Sequence, residues 1–525
     1  MKIEKLLLGL FASFLMVGCS QNDDLPNGEE QGKSEKSYVA VKICSPKTLG
    51  SRATADNDFA DADGAEATVT NAHFFFFNNN GDPVNVNQGK NYVIKDDDDI
   101  TITSENDNAH IESKTNAIVV LEKPDVYPTR MVVVLNWDYN GSSLSLNGDR
   151  SLSQQLINES AAITDQKFIM SSSVYLKNGN IVNYAAVTGE NFGSSTTEAD
   201  NNPVTAYVER LAAKVTASLK TSSNPKYNAD LEAYDTGVTY DDGTTQINIY
   251  AKILGWQINT TNPSSYLIKQ LNSEWGKTEP EPFTDWNEPN KFRSYWGVSS
   301  TPTTYSNVAF KYSELAEGFN ATAYCLENTT GTSTKALFKA VIGKENASEE
   351  FEPLQLWQWR GKYFLNDVEM MKDVLSKINA EVKKLKTDAA EVTAGQIELV
   401  YNSNTETSYQ INFRLKAGQT DVTLKDNTKL SDVIAATDYA KNWHNGQTYY
   451  FTPVLHLNNE AAVIRNHAYN LSVTEVKGLG TPVNDPGKQP EIPEPVDPGA
   501  TETYISAQIN VLSWRLVSND ETLGH

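Results

Sequence analysis

Six prolines fall within Thr481–Gly499, and a strand pattern follows them at the very end of the chain. This arrangement constrains the fold more than any other feature of the 525 residues. Proline fixes φ and removes an amide donor, so a stretch this rich in it packs as neither helix nor central strand. Residues 481–503 are therefore read as an extended, semi-rigid spacer. Beyond it, Ile505, Ala507, Ile509 and Val511 fall on one face, and Ser506, Gln508 and Asn510 on the other. That is the period of two of a half-buried strand. A strand at the end of such a spacer is detachable from its own domain, and residues 504–525 are assigned to a donor strand and tail.

A matching segment lies near the start. Val39, Val41 and Ile43 alternate with Ala40, Lys42 and Cys44. This short strand ends at Pro46 and is followed by Gly50-Ser51-Arg52-Ala53 and a polar run through Asp63. The composition of that run is that of an exposed loop, which makes Arg52 the arginine most open to a protease. A cut after Arg52 would release the leader strand and open a groove in the first domain. The tail strand of a neighbouring molecule has the alternation to fill it. Each of the three or four buried side chains would contribute about 1.5–3 kcal/mol, and main-chain hydrogen bonds would add to this. Such a contact is head-to-tail, so it propagates as a filament of identical subunits.

The first residues read as an export signal. Lys2 and Lys5 precede an apolar run from Leu6 to Val17, too short to span a bilayer. Gly18-Cys19 ends it, and the polar Ser20-Gln21-Asn22-Asp23-Asp24 follows as a tether. This is the form of a bacterial lipoprotein signal, cleaved before Cys19 and acylated on that residue. An ordinary signal with a chance cysteine is the alternative. On the lipoprotein reading, the lipid of the precursor would be the sole membrane attachment. The remaining cysteines are Cys44 and Cys325. A disulfide between them stays open on the sequence, although it would hold the leader on after cleavage.

The formal charge of −23 argues against nucleic acid or an anionic membrane face as partner. Strand signals dominate between the ends. Phe74–Phe77 runs into Asn78-Asn79-Asn80-Gly81, a strand leading to a hairpin turn. Met131–Leu135 is continuously apolar, and residues 215–219, 247–253, 411–415, 449–454 and 471–473 alternate. Helices are expected over Leu152–Ile163 and Phe364–Leu385, the second with Leu365, Val368, Met371, Leu375 and Ile378 as its core stripe. The expected fold is mainly β: two β-sandwich domains with a few short helices and a detachable C-terminal strand. The expected segments are a signal peptide (1–18), a propeptide (19–52), an N-terminal domain (53–217), a C-terminal domain (218–480), the spacer (481–503) and the tail (504–525).

No catalytic constellation emerges. None of the six histidines makes an HExxH pair, and neither GxSxG nor GxxxxGK[ST] occurs. Around Asp61-Ala62-Asp63-Gly64, the first and twelfth positions of a calcium loop are Phe59 and Thr70, which cannot serve. Asp96–Asp99 reads as a solvated loop. His456, His467 and Cys325 read as core residues. No enzyme activity, cofactor or metal is expected. Trp256, Trp286, Trp296, Trp357 and Trp359 suit core packing. As a sugar-binding face, they would instead support a rival function, a monomeric surface lipoprotein that binds glycans.

Motifs along the chain carry a resemblance. They include the lipoprotein leader, Arg52-Ala53, YVERLAAKV at 207–215 and FRSYWG at 292–297. AYCLENT at 323–329, NGQTYYF at 445–451, IRNHAYNL at 464–471, GLGTPV at 478–483 and INVLSWR at 509–515 follow. In this order they resemble the type V fimbrillins of Bacteroidales, nearest to minor-fimbrium shaft subunits. The resemblance implies transthyretin-like sandwiches and an outer-membrane lipoprotein precursor. It also implies an arginine-specific protease acting at Arg52-Ala53 and a C-terminal strand that enters the next subunit's vacated groove. The mature protein would lie in extracellular fimbriae. Its partners would be identical subunits, accessory anchor and tip subunits, and receptors on host or bacterial surfaces.

Overall fold

The computed structural model describes Lys36–Ser518 except residues 47–61, 63, 105–110, 123–125, 149, 165–166, 174, 178–179, 242, 260, 271–310, 329–333, 404–406, 457–461, 485–503 and 514–515. Lys36–His525 forms one compact unit. The architecture is mainly β.

The N-terminal part is built from β1 (Lys36–Pro46), β2 (Asn71–Phe77), β3 (Tyr92–Asp96), β4 (Ile100–Ser104), β5 (Ile111–Glu122), β6 (Arg130–Leu135), β7 (Met170–Ser172), β8 (Phe192–Gly193), the short helix α1 (Thr196–Asn201) and β9 (Val204–Arg210). The strands follow the order β3-β2-β6-β7-β9-β1-β5-β4. β9 is the corner. Its first half bonds β1 (Val41↔Val204 to Cys44↔Tyr207), and its second half bonds β7 (Val208↔Ser172 to Arg210↔Met170). The two halves of the sheet thereby face each other. Phe74, Phe76, Met131 and Val133 from one half meet Val39, Val41, Val119 and Leu121 from the other.

The run Phe74–Phe77 has a simple cause. Alternate side chains point to opposite faces of a strand, and here both faces are buried. Phe74 and Phe76 enter the sandwich core, whereas Phe75 and Phe77 pack outside it with Val132, Val134, Trp137, Leu211 and Leu326. Met131–Leu135 is continuously apolar for the same reason. The turn after Phe77 forms where the Asn-Gly signal lies, with Gly81 N donating to Asn78 O.

The C-terminal part contains β10 (Ala212–Leu219), β11 (Ala233–Asp241), β12 (Gln246–Asn259), β13 (Ala323–Leu326) and β14 (Lys335–Glu345). A helix-bearing module follows: β15 (Leu356–Trp359), β16 (Lys362–Phe364), α2 (Asp367–Leu385), β17 (Ile397–Tyr401), β18 (Ile411–Leu415), α3 (Leu430–Ala435) and β19 (Ala440–Trp443). Then come β20 (Gln447–Pro453), β21 (His467–Lys477), β22 (Tyr504–Ser513) and β23 (Leu516–Ser518). Sheet β13-β10-β21-β22-β23 faces a sheet containing β11-β12-β14-β20. Tyr234, Ile249, Trp256, Phe338, Tyr450, Tyr469 and Leu471 fill the space between. The module has its own sheet, β16-β15-β19-β18-β17, and its own core under α2 and α3. Residue 217, the expected domain boundary, lies inside β10.

Two sequence expectations are corrected. Leu152–Ile163 is not a helix. It divides into a 3-10 turn (Leu152–Gln154), a strand (Leu156–Asn158) paired with Ser264–Tyr266, and one helical turn (Glu159–Ala162). Its buried apolar residues, Leu152, Ile157 and Ala162, recur every five positions, off the helical period, and Leu156 is exposed. The second helix exists, but its stripe is rotated. Asn366 caps it through Glu369 N at 2.9 Å, so Leu365 precedes the helix. Val368 is 65% exposed, and the core face is Met370, Met371, Val374, Ile378 and Val382.

Candidate functional site

The two strands singled out at the chain's ends occupy contrasting positions. β1 is an inner strand. On one side it runs antiparallel to β5, from Lys36↔Glu122 to Pro46↔Ile111. On the other it pairs antiparallel with β8 (Tyr38↔Gly193, Val39↔Phe192) and parallel with β9. Val39 and Val41 are fully buried in the sandwich core. Ile43 lies in β1 opposite Thr115 and Ala206, and its side chain lies outside the described residues. β22, the tail strand, pairs antiparallel with β21 from Tyr504↔Lys477 to Ser513↔His467. This register sets Ala507, Ile509 and Val511 opposite Val473, Leu471 and Tyr469, which are core residues, and Ile505 opposite Val476. Among the described residues, only β23 lies beyond it.

The spacer is pinned at its start. Thr481 and Pro482 pair with Tyr449 and Thr448 at a sheet edge, where the missing amide of Pro482 is not needed. Val483 is buried, and Asn484 accepts from Asn442 N at 3.1 Å and donates to Ser408 O at 2.7 Å. Cys19, Arg52 and Ala53 lie outside the described residues.

Downstream of Arg52 the chain is anchored by Glu66. Its carboxylate meets Lys214 Nζ at 2.7 Å and accepts the Tyr324 hydroxyl, while its carbonyl accepts Arg210 Nε at 2.6 Å. A buried ionic joint surrounds this point. Lys269 pairs with Glu209 at 2.8 Å, and Ser173 Oγ donates to Glu209 at 2.5 Å. Arg465 meets Glu327 at 2.5 Å and donates to the carbonyls of Tyr266 and Leu267 and to Ser265 Oγ. All four charged side chains are essentially inaccessible. Removing one partner of such a pair would leave an uncompensated buried charge. The sequence reading missed these residues. No pattern in the sequence marks them as buried: Glu209 is followed by Arg210, and Arg465 by Asn466 in a turn before β21.

His456, His467 and Cys325 belong to packing. His456 and His467 stack edge-on, 5.1 Å between ring centroids. Burial, the neighbouring His467 and Lys269 hold His456 well below the usual histidine range. Cys325 is a buried free thiol in the C-terminal core, and burial pushes its pKa up. Trp256, Trp357 and Trp359 are core residues, while Trp286 and Trp296 lie outside the described residues. Among the described residues, no group of His, Cys, Asp and Glu is arranged to hold a metal ion.

Residues 441–520 match the family described as Major fimbrial subunit protein type IV, Fimbrillin, C-terminal. That segment runs from β19 to just past β23 and so includes the tail strand. Residues 441–520 are thus similar to a fimbrillin C-terminal region, in line with the resemblance of the chain to the fimbrillins of Bacteroidales. This supports a structural subunit of a fimbrium at the cell surface, assembled with other fimbrial subunits. No curated protein matches the sequence. Among solved structures, a protein from Parabacteroides distasonis named for cell adhesion aligns at 13% identity and a TM-score of 0.36, covering 91% of this chain and 98% of the other. A fimbrial assembly protein from the same species aligns at 12% and 0.30, covering 61% and 86%. A tip fimbrial protein from Porphyromonas gingivalis, truncated at its C-terminus, aligns at 9% and 0.29, covering 84% and 95%. At these scores the superpositions carry no inference about function.

Proposed function

We propose that this chain is the shaft subunit of a fimbrium that polymerises by strand exchange. It is exported as a lipoprotein acylated at Cys19 and cut between Arg52 and Ala53. The cut frees β1, and the tail strand of the next subunit takes its place between β5 and β9. The observation that carries this reading is the position of β1. It lies upstream of Arg52, yet it is an inner strand with ladders on both sides. Its loss would expose two rows of main-chain donors and acceptors together with the apolar positions that Val39 and Val41 cover. The tail strand has only the short β23 beyond it among the described residues and follows a proline spacer, which supports its release from the sheet.

The test is an unheated denaturing gel of purified precursor before and after limited cleavage by an arginine-specific protease. A new terminus at Ala53 and a ladder of resistant oligomers are expected. Ile509→Asp puts a charge in the groove, which costs several kcal/mol when unpaired. It should abolish the ladder while export continues. Normal filaments from Ile509→Asp would contradict the assignment of this strand.

A further inference from the structure

The wall of the groove on the β9 side is not one strand. The chain runs antiparallel to β1 along Phe192–Gly193, leaves the sheet as α1, and returns parallel to β1 from Val204. α1 packs on β1 and forms a clasp over its outer face. The clasp is tight. A Cβ at Gly193 would stand 2.4 Å from the Ala199 amide nitrogen, and Ala199 is fully buried. Ser195 Oγ caps α1 at Glu198 N, and the Glu198 carboxylate accepts from Ser194 N and Oγ at 2.8 and 2.7 Å.

The clasp treats the outer positions of β1 unequally. Ala40 points away from the core that holds Val39 and Val41, yet it is only 3% exposed. Two residues on, the cover is looser. Lys42 is half-buried on a cavity of about 660 Å³ whose lining also includes Ala40, Asp200, Pro203, Asp99 and Asn116. A strand filling this groove therefore needs a small residue where Ala40 sits and can carry a long one where Lys42 sits.

The leader reads Tyr38-Val39-Ala40-Val41-Lys42-Ile43-Cys44, and the tail reads Tyr504-Ile505-Ser506-Ala507-Gln508-Ile509-Asn510. Both begin with tyrosine, place apolar residues second, fourth and sixth, a small residue third and a long polar one fifth. We infer that the clasp fixes the register of the incoming strand, with Tyr504 taking the place of Tyr38 and Ser506 that of Ala40. The inference rests on the strand-exchange reading and adds to it the residue that selects register. A slip of one residue reverses the faces. A slip of two brings Gln508 or Tyr504, both far larger than alanine, beneath α1.

In this register Ser506 lies opposite Ile118 of the next subunit, as Ala40 does within the precursor. Directly opposed positions are close enough for a disulfide. Full-length chains carrying Ser506→Cys with Ile118→Cys, Asn116→Cys or Val120→Cys would be cleaved at Arg52, oxidised and run on a denaturing gel. A covalent ladder is expected from the Ile118 pair alone. A ladder from the Asn116 or Val120 pair instead would overturn the register while leaving strand exchange intact. Absence of oligomers even from the unsubstituted chain would remove strand exchange itself, and this inference with it. The clasp is tested separately. Ser506→Trp should lower polymer yield at least about tenfold, whereas Gln508→Trp, facing the cavity, should change it by no more than about threefold. Equal yields from the two variants would show that α1 selects nothing.

Discussion

The two β assemblies of this chain share one local arrangement and differ in where its central strand comes from. In the C-terminal assembly, β21 runs parallel to β10 on one side and antiparallel to β22 on the other. In the N-terminal assembly, β1 runs parallel to β9 on one side and antiparallel to β5 on the other. β21 belongs to the continuous chain of the domain it completes. β1 precedes Arg52 and is joined to the rest of its domain through residues 47–63, the segment that carries the arginine. On the proposed cut at Arg52, the central strand is therefore permanent in one assembly and conditional in the other. Peptide connectivity, not packing quality, separates them, since Val41 and Leu471 are equally buried.

The largest effect that sharpens this contrast is expected at the ionic joint. Arg465→Met leaves Glu327 buried without its cation, and a loss of about 3–5 kcal/mol is expected. Denaturant unfolding of precursor and cleaved protein should show the same loss, because the joint does not involve β1. A loss confined to the precursor would tie the joint to the leader and undo the comparison.

The next effect separates the two central strands. Leu471→Ala should cost about 2–5 kcal/mol before and after cleavage. Val41→Ala should cost about 1.5–3 kcal/mol in the precursor and nothing once the leader has gone. Unfolding curves of the four samples would distinguish these outcomes, and a Val41→Ala penalty that survives cleavage would mean that β1 stays bound.

The smallest effect is a pH dependence common to both assemblies. His73 in the N-terminal domain and His456 in the C-terminal part are held below the ordinary histidine value of 6.5, in both cases chiefly by burial. A depressed histidine means that the unfolded chain binds the proton more readily than the folded one. Stability is therefore complete above about pH 6.5 and falls as the pH drops below it. Melting temperatures at pH 7 and pH 5 should show the fall. Equal values would indicate that both imidazoles gain a proton in the folded state.

Much of this was legible in the sequence, for a physical reason. Period-two alternation is set by the strand itself, so Val39 and Val41 were assigned to a core face without knowledge of their partners. The run Phe74–Phe77 was read as a strand leading to a turn, whereas the cover on both its faces shows only in the fold. Leu152–Ile163 misled because its leucines and isoleucines are spaced loosely enough to suggest a helix, while the buried set recurs every five residues. Leu365 and Val368 misled because the Asn366 cap, which fixes where the helix begins, rotates the stripe away from them. Glu209, Lys269, Glu327 and Arg465 were invisible because isolated charges ordinarily lie at the surface. Only tertiary pairing reveals that these do not. The clasp was hidden by its size: Phe192–Gly193 and Thr196–Asn201 are too short to leave a periodic signal.

The most direct test of a conditional N-terminal sandwich is amide hydrogen exchange on precursor and on protein cleaved at Arg52, both lacking residues 504–525 so that no donor strand is present. The account predicts that cleavage strips protection from β5 and β9, the two neighbours of β1, while β12 and β14, whose ladders involve neither β1 nor the tail, stay protected. Unchanged protection of β5 and β9 after cleavage would show that the leader is no separable part of the fold, and the proposed groove would not exist.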